Sequence, residues 1–213
     1  TASGMLRPGT VLIGALGFCL AAALIAIPLI VTRGWPIVAI GAVSLFFSYG
    51  YTGGPCPLAY RGMGELFVIL FFGLVAVSGS YFAQTGEWGG GEILRLGLQC
   101  GLYSSVLIAV NNLRDVEEDR GSGKRTLATR FGETFARVEI LLFCLIPVLL
   151  WNLPVPRSYE GLFVGLLPAP IGAVIVFCVF RFRPGPVYNR ILAFGALQLL
   201  LFAVAATLRE LVP

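Results

Sequence analysis

The chain is dominated by long apolar segments that carry almost no charge. Of its 213 residues, 57% are hydrophobic and 12% are charged. A helix needs about 20 apolar residues to cross the hydrocarbon core of a bilayer, and a soluble domain of this length would carry more surface charge. We therefore predict an all-α, polytopic transmembrane helix bundle embedded in membrane lipid. The predicted spans are residues 10–31, 36–50, 65–84, 92–113, 134–152, 160–180 and 188–208.

The positions of the basic residues predict the orientation. If the connection 114–133 faces the cytoplasm, alternation of the spans places eleven Lys and Arg residues on or near that side and four on the other. Basic residues are enriched in cytoplasmic loops. We therefore expect a multi-pass protein of the cell (inner) membrane with 114–133 cytoplasmic. A net charge of +4 is too small to indicate a nucleic-acid partner.

The chain contains no histidine, so a metal ion must be held by carboxylates. Asp115 and Asp119 follow the fourth span, and on a continuous helix they form an i,i+4 pair with Glu118 beside them. Carboxylates at this spacing repel unless a cation lies between them, and oxygen ligands suit Mg²⁺. The basic residues that follow are able to bind phosphate oxygens; they are Lys124, Arg125 and Arg130.

The pattern therefore predicts a site for magnesium and a diphosphate. The alternative is a solvated loop whose charges pair with each other. Two features argue against that alternative. Asn111 and Asn112 lie within the end of the span, where polar groups need a partner or a water-filled cavity. The carboxylates also begin directly at the end of that span, without a polar spacer.

A second polar segment, residues 49–65, follows the short second span. Its Gly- and Pro-rich sequence predicts a helix that is broken and unwinds into a cavity. Tyr51, Tyr60, Arg61 and Glu65 supply aromatic walls, hydroxyls and one charge of each sign, which is compatible with a pocket for an aromatic acceptor. Taken alone, however, the segment favours the alternative, an interfacial loop anchored by tyrosines.

Two sequence stretches resemble the UbiA superfamily of intramembrane aromatic prenyltransferases. YTGGPCPLAYRGMGELFVILFFG, residues 51–73, is similar to the segment between that family's two aspartate motifs. NNLRDVEEDRGSGKRTLATRFG, residues 111–132, is similar to its second aspartate motif with the trailing basic segment. The LAYRGMGE stretch resembles the branch that uses 1,4-dihydroxy-2-naphthoate, in menaquinone biosynthesis.

The resemblance implies an enzyme. It would transfer a polyprenyl chain from polyprenyl diphosphate to 1,4-dihydroxy-2-naphthoate, with Mg²⁺ as cofactor and with release of diphosphate and CO2. The implied catalytic residues are Asp115, Asp119, Lys124 and Arg125. The implied metal ligands are Asp115, Asp119 and Glu118. The implied substrate-binding residues are Asn111, Asn112, Arg114, Arg130, Tyr51, Tyr60, Arg61 and Glu65.

Two other functions stay open at this point. A related prenyltransferase would use 4-hydroxybenzoate, homogentisate or chlorophyllide as acceptor. A membrane transporter would use the acidic pair as an ion site, but such sites lie near the middle of the bilayer. Here the charges cluster at one interface.

The sequence departs from the family in one respect. The family has nine helices and a first aspartate motif, NDxxDxxxD, which does not occur here. Residues 1–9 resemble the stretch after that motif. We therefore expect residues 1–213 to be a single prenyltransferase domain that lacks the first two family helices, and to be inactive by themselves.

Overall fold

The chain forms a bundle of helices. The computed structural model describes residues 7–51, 53, 57–151 and 163–211. In this part of the chain all regular structure is helical, which confirms the predicted all-α fold. The helices are α1 (Pro8–Arg33), α2 (Trp35–Gly50), α3 (Gly64–Thr85), α4 (Gly91–Arg114), α5 (Val116–Gly121), α6 (Leu127–Trp151), α7 (Phe163–Arg181) and α8 (Tyr188–Leu211).

Each predicted span corresponds to a helix, but the number of full spans is smaller than predicted. Six helices of the described chain are long and apolar enough to cross a membrane. The helix α2 has 16 residues, which at 1.5 Å per residue gives about 24 Å, less than the hydrocarbon thickness of about 30 Å. The prediction of seven spans is corrected to six spans and one shorter helix.

The second polar segment agrees with the prediction where it is described. The helix α2 ends at Gly50, and a single 3₁₀ turn, Leu58–Arg61, precedes α3. Thr52, Gly54 and Pro55 of this segment lie outside the described residues. So do residues 160–162, at the start of the predicted span 160–180.

The connection predicted as a long loop, 114–133, is mostly helical. It contains α5 and a short helical segment, residues 127–131, which Gly132 separates from the rest of α6. The helix beyond this break starts at Glu133, one residue from the predicted start at 134. The short segment has a local cause, because Thr126 caps it. The backbone N–H of Thr129 donates to Oγ1 of Thr126 at 3.2 Å, a typical N-cap contact. Gly132, with φ 85° and ψ 173°, interrupts α6 one turn later.

The helix α4 is the centre of the bundle and packs against α3, α6 and α8. Its buried side chains Val106, Val110 and Leu113 belong to one core with Ile140 of α6 and Ile175 of α7.

Glycines allow α3 and α4 to approach closely. A Cβ added to Gly101 would lie 2.6 Å from the backbone oxygen of Ile69. Small residues at such crossings are typical of membrane helices. The approach coincides with a π-helical stretch, Ile69–Val75, within α3.

Polar contacts identify the two ends of the bundle. At one end, Nη1 of Arg114 lies 2.7 Å from Oδ1 of Asn189, which joins the ends of α4 and α8. At the other end, Nη2 of Arg209 lies 2.6 Å from Oε1 of Glu92. The connections 114–133 and 181–188 therefore lie at the same end. Residues 57–63 lie at that end too, because the N–H of Arg125 donates to the carbonyl oxygen of Tyr60.

Candidate functional site

A cavity at this end joins the two polar segments. It has a volume of about 250 Å³. The 3₁₀ turn and the start of α3 contribute one wall, and the end of α4 with the start of α6 contributes another. The predicted site residues that line it are Tyr51, Tyr60, Glu65, Asn111, Asn112 and Lys124.

The two segments are held together mainly through their backbones. The N–H of Arg125 donates to the carbonyl oxygen of Tyr60 at 3.1 Å, and Nη2 of Arg130 donates to that of Arg61 at 2.9 Å. Gly62 permits this contact, since it has φ +72° and a Cβ would lie 2.8 Å from the Arg125 oxygen. The side chains of Arg61 and Arg125 are exposed. Gly62 was not predicted as a site residue. Its positive φ explains why glycine occurs at this position.

Asp115 is held by Arg114. The carboxylate accepts two hydrogen bonds from the guanidinium, at 2.6 and 2.7 Å. These bonds hold the pKa of Asp115 below its usual range. The same guanidinium donates to Oδ1 of Asn111 at 2.8 Å and to Asn189. Asn189 is not among the predicted site residues, because it lies 75 positions from Arg114 and belongs to no local motif.

Asp119 is held by Lys124. The ammonium lies 2.9 Å from Oδ2 of Asp119, which is 8% exposed. The N–H of Lys124 also donates to the backbone oxygen of Asp119 at 2.9 Å, which closes the turn after α5. Glu118 is exposed.

The helix does not continue unbroken through the acidic segment. The helix α4 ends at Arg114, and Asp115 has φ −98° and ψ 13°. Asp115 and Asp119 nevertheless lie one turn apart, since the N–H of Asp119 donates to the Asp115 oxygen at 2.8 Å. Each carboxylate has its own basic partner. Across the described residues, no group of three His, Cys, Asp or Glu side chains is arranged to hold a metal ion.

Glu65 and Asn112 form a buried polar pair on the cavity wall. Nδ2 of Asn112 donates to Oε1 of Glu65 at 2.7 Å, and the residues are 3% and 5% exposed. Burial, with the nearby Glu65 carboxylate, raises the pKa of Tyr51. All three residues are predicted substrate-binding residues, but the pairing of Glu65 with Asn112 does not follow from either motif alone.

A larger apolar cavity lies between α2 and α3. It has a volume of about 580 Å³ and is lined mainly by aromatic side chains, among them Phe47, Phe67 and Phe71. Tyr51 lines both this cavity and the polar one. The polar and apolar cavities are therefore neighbours.

Comparison with known proteins identifies the family. The UbiA prenyltransferase family model matches residues 1–202. No solved structure matches the chain. Three curated relatives are each named 1,4-dihydroxy-2-naphthoate octaprenyltransferase.

The relative from Mycobacterium leprae (strain TN) is 34% identical over 79% of this chain and 57% of its own length. The relative from Escherichia coli (strain K12) is 36% identical over 62% of this chain and 43% of its own length. The relative from Bacillus subtilis (strain 168) is 32% identical over 85% of this chain and 54% of its own length. The chain thus spans about half the length of the curated relatives that it matches. The family match covers nearly all of the sequence, and the chain belongs to the UbiA prenyltransferase family.

Proposed function

We propose that this chain forms the acceptor side and one acidic motif of a prenyltransferase active site. The enzyme transfers a polyprenyl chain from polyprenyl diphosphate to 1,4-dihydroxy-2-naphthoate in menaquinone biosynthesis, and it releases diphosphate and CO2. Similarity to relatives with that name supports the acceptor. The observation that carries the proposal is a polar cavity, with acidic and basic side chains, that shares Tyr51 with an apolar, aromatic cavity.

This pair of cavities matches the two parts of the donor. A polyprenyl diphosphate has a strongly anionic end and a long apolar chain. Lys124 lines the polar cavity, and Arg114 lies beside Asn111 on its wall. Charge-assisted hydrogen bonds from such groups suit phosphate oxygens. We place the diphosphate near these residues and the first part of the prenyl chain in the apolar cavity.

The acidic segment fits Mg²⁺ by the chemistry of its donors. Asp115 and Asp119 lie one helical turn apart and offer only oxygen ligands, which is what this ion prefers. These two residues would hold the ion together with oxygens of the diphosphate, and Glu118 would join them only by a rotation of its exposed side chain. When bound, Mg²⁺ supplies a Lewis acid that stabilises negative charge on the departing diphosphate. Arg114 and Lys124 orient the two carboxylates.

Residues of this chain would also position the aromatic acceptor. The cavity wall formed by Tyr51, Tyr60 and Glu65 holds the aromatic ring next to the end of the prenyl chain. Closely packed helices exclude water, which would otherwise react with an allylic cation. We also propose that this end of the bundle faces the cytoplasm from the inner membrane, which the distribution of Lys and Arg supports.

The test is transfer by the protein reconstituted in liposomes. The chain is assayed alone and within the longest open reading frame that contains it, with octaprenyl diphosphate, Mg²⁺ and one of three acceptors. We expect mass spectrometry to detect a prenylated, decarboxylated product from 1,4-dihydroxy-2-naphthoate only. Prenylation of 4-hydroxybenzoate or homogentisate instead would assign another acceptor. No transfer in the longer protein, together with ion flux across the liposome, would refute the enzyme and favour a transporter.

A further inference from the structure

One oxygen of the buried Glu65 carboxylate has no hydrogen-bond donor among the described residues. Oε1 accepts from Nδ2 of Asn112 at 2.7 Å. Oε2 is fully buried and unpartnered within the described chain. An unsatisfied buried acceptor is costly, more so when it is charged. Because such atoms are rare in folded proteins, this one requires an explanation.

The position of Glu65 indicates where the missing donor comes from. Glu65 is 3% exposed and contributes to the wall of the polar cavity. Its backbone oxygen is fixed by Oγ of Ser105 at 3.3 Å, and Asn112 fixes the carboxylate. The wall is also tight: a Cβ on Gly64 would lie 3.0 Å from Cδ1 of Ile108 and 3.3 Å from the Tyr51 hydroxyl. Because Glu65 lines the cavity, a small turn of its carboxylate would bring Oε2 to a molecule bound there, which would then supply the donor.

The missing donor selects the kind of group that binds. An ionised phosphate or carboxylate of a substrate offers only acceptors and cannot satisfy Oε2. A ring hydroxyl donates one hydrogen bond and is carried by a flat ring, and the aromatic residues Tyr51 and Tyr60 line the same cavity. Lys124, beside which we place the diphosphate, also lines the cavity, so that anionic groups have a separate position.

We propose that Oε2 of Glu65 accepts a hydrogen bond from a ring hydroxyl of the aromatic acceptor, and that Asn112 is the positioning residue that orients the carboxylate. The inference rests on the proposed function and adds the source of its selectivity for hydroxylated rings. A site built to bind a hydroxyl discriminates strongly against the same molecule without it, because its buried polar group is then left unpaired.

The test compares two ligands and needs no turnover. Binding of 1,4-dihydroxy-2-naphthoate and of 2-naphthoate, which lacks both hydroxyls, is measured calorimetrically in nanodiscs under reducing conditions. We expect the wild-type protein to prefer the dihydroxy compound roughly ten- to hundredfold, the range for a hydrogen bond to a charged group. In Glu65→Gln the preference falls to a few fold. In Asn112→Ala it falls as well, but less.

Glu139→Gln is the matched control. Glu139 lies in α6 close enough to Glu65 for their charges to interact, but it does not line the cavity. We expect this variant to keep the wild-type preference. Equal loss in both variants would mean that overall charge and not a specific contact sets the preference, and it would overturn the inference.

Two results separate this inference from the proposed function. Binding of geranyl diphosphate with Mg²⁺ is measured in the same samples. If the wild-type protein binds the diphosphate and both naphthoates equally well, the Glu65 contact is refuted and the prenyltransferase proposal stands. If it binds neither the diphosphate nor a naphthoate, both proposals fail. The comparison of ligands on wild-type protein remains decisive even if Glu65→Gln does not fold.

Discussion

The Nδ2 atom of Asn112 in α4 lies 2.7 Å from Oε1 of Glu65 in α3, and both residues are buried. This hydrogen bond joins two polar segments that are 47 positions apart in the sequence. It lies where the polar cavity meets the helix core. The pair therefore links the stability of the bundle to the geometry of the candidate site.

We expect Asn112→Ala to destabilise the protein by about 1–3 kcal/mol, because it leaves the buried Glu65 carboxylate without its donor. The free energy of unfolding is measured by titration with a denaturing detergent. Asn189→Ala is the control, since Asn189 also makes one side-chain hydrogen bond but is exposed. A loss no larger than that of the control would contradict a structural role for the pair.

Asp115→Asn and Asp119→Asn should each lower turnover at least about a hundredfold in the longest open reading frame that contains the chain, as expected when groups that stabilise transition-state charge are lost. Folding should be intact by circular dichroism. Glu117→Gln is the matched control, because Glu117 lies on the same short helix but pairs with the exposed Arg120 at 2.6 Å. Near-normal turnover in either Asp variant would rule out the assignment.

Gly62→Ala should separate the two polar segments. Its φ of +72° disfavours alanine by roughly 1–2 kcal/mol, and the new Cβ would lie 2.8 Å from the Arg125 oxygen. We expect lower thermal stability and weaker binding of 1,4-dihydroxy-2-naphthoate. Gly121→Ala is the control, because a Cβ there meets nothing within 4 Å. Equal effects of the two substitutions would show that the contact is dispensable.

Ser48→Phe should reduce the room for the prenyl chain, because Ser48 lines the apolar cavity between α2 and α3. Turnover with octaprenyl diphosphate should fall more than turnover with geranyl diphosphate, whose chain is shorter. Ser80→Phe adds the same bulk at an exposed position of α3 that does not line the cavity. If donor length makes no difference to the effect of Ser48→Phe, the prenyl chain lies elsewhere.

The orientation is tested by labelling single cysteines introduced into a cysteine-free protein in sealed inside-out vesicles. Ser122→Cys, at the end with the polar cavity, should react with an impermeant reagent. Glu87→Cys, which is exposed beyond the end of α3, should react only after the membrane is permeabilised. The reverse pattern would place the cavity on the outer side of the membrane.

The helices and their alternation could be predicted from the sequence alone. Hydropathy is a property of each segment, so all seven apolar runs were recognised, and only the length of α2 reduced the number of full spans. The two polar segments were also recognisable, because the acidic and basic residues of 111–130 are local in the sequence. The span that begins at Glu133 was recognised to within one residue, but the short helical segment before Gly132 was missed, since its Thr126 cap lies within a charged stretch that is typical of a loop.

Tertiary structure decided which polar groups meet. The contacts of Arg114 with Asn189, of Arg130 with Arg61 and of Asn112 with Glu65 connect residues 75, 69 and 47 positions apart. Such contacts depend on how closely the helices cross and how each is rotated, which the glycines at the α3–α4 crossing control. The helix break at Asp115 likewise assigns each acidic side chain its own basic partner. Local spacing predicts the charges, whereas packing determines their pairing and the cavity they enclose.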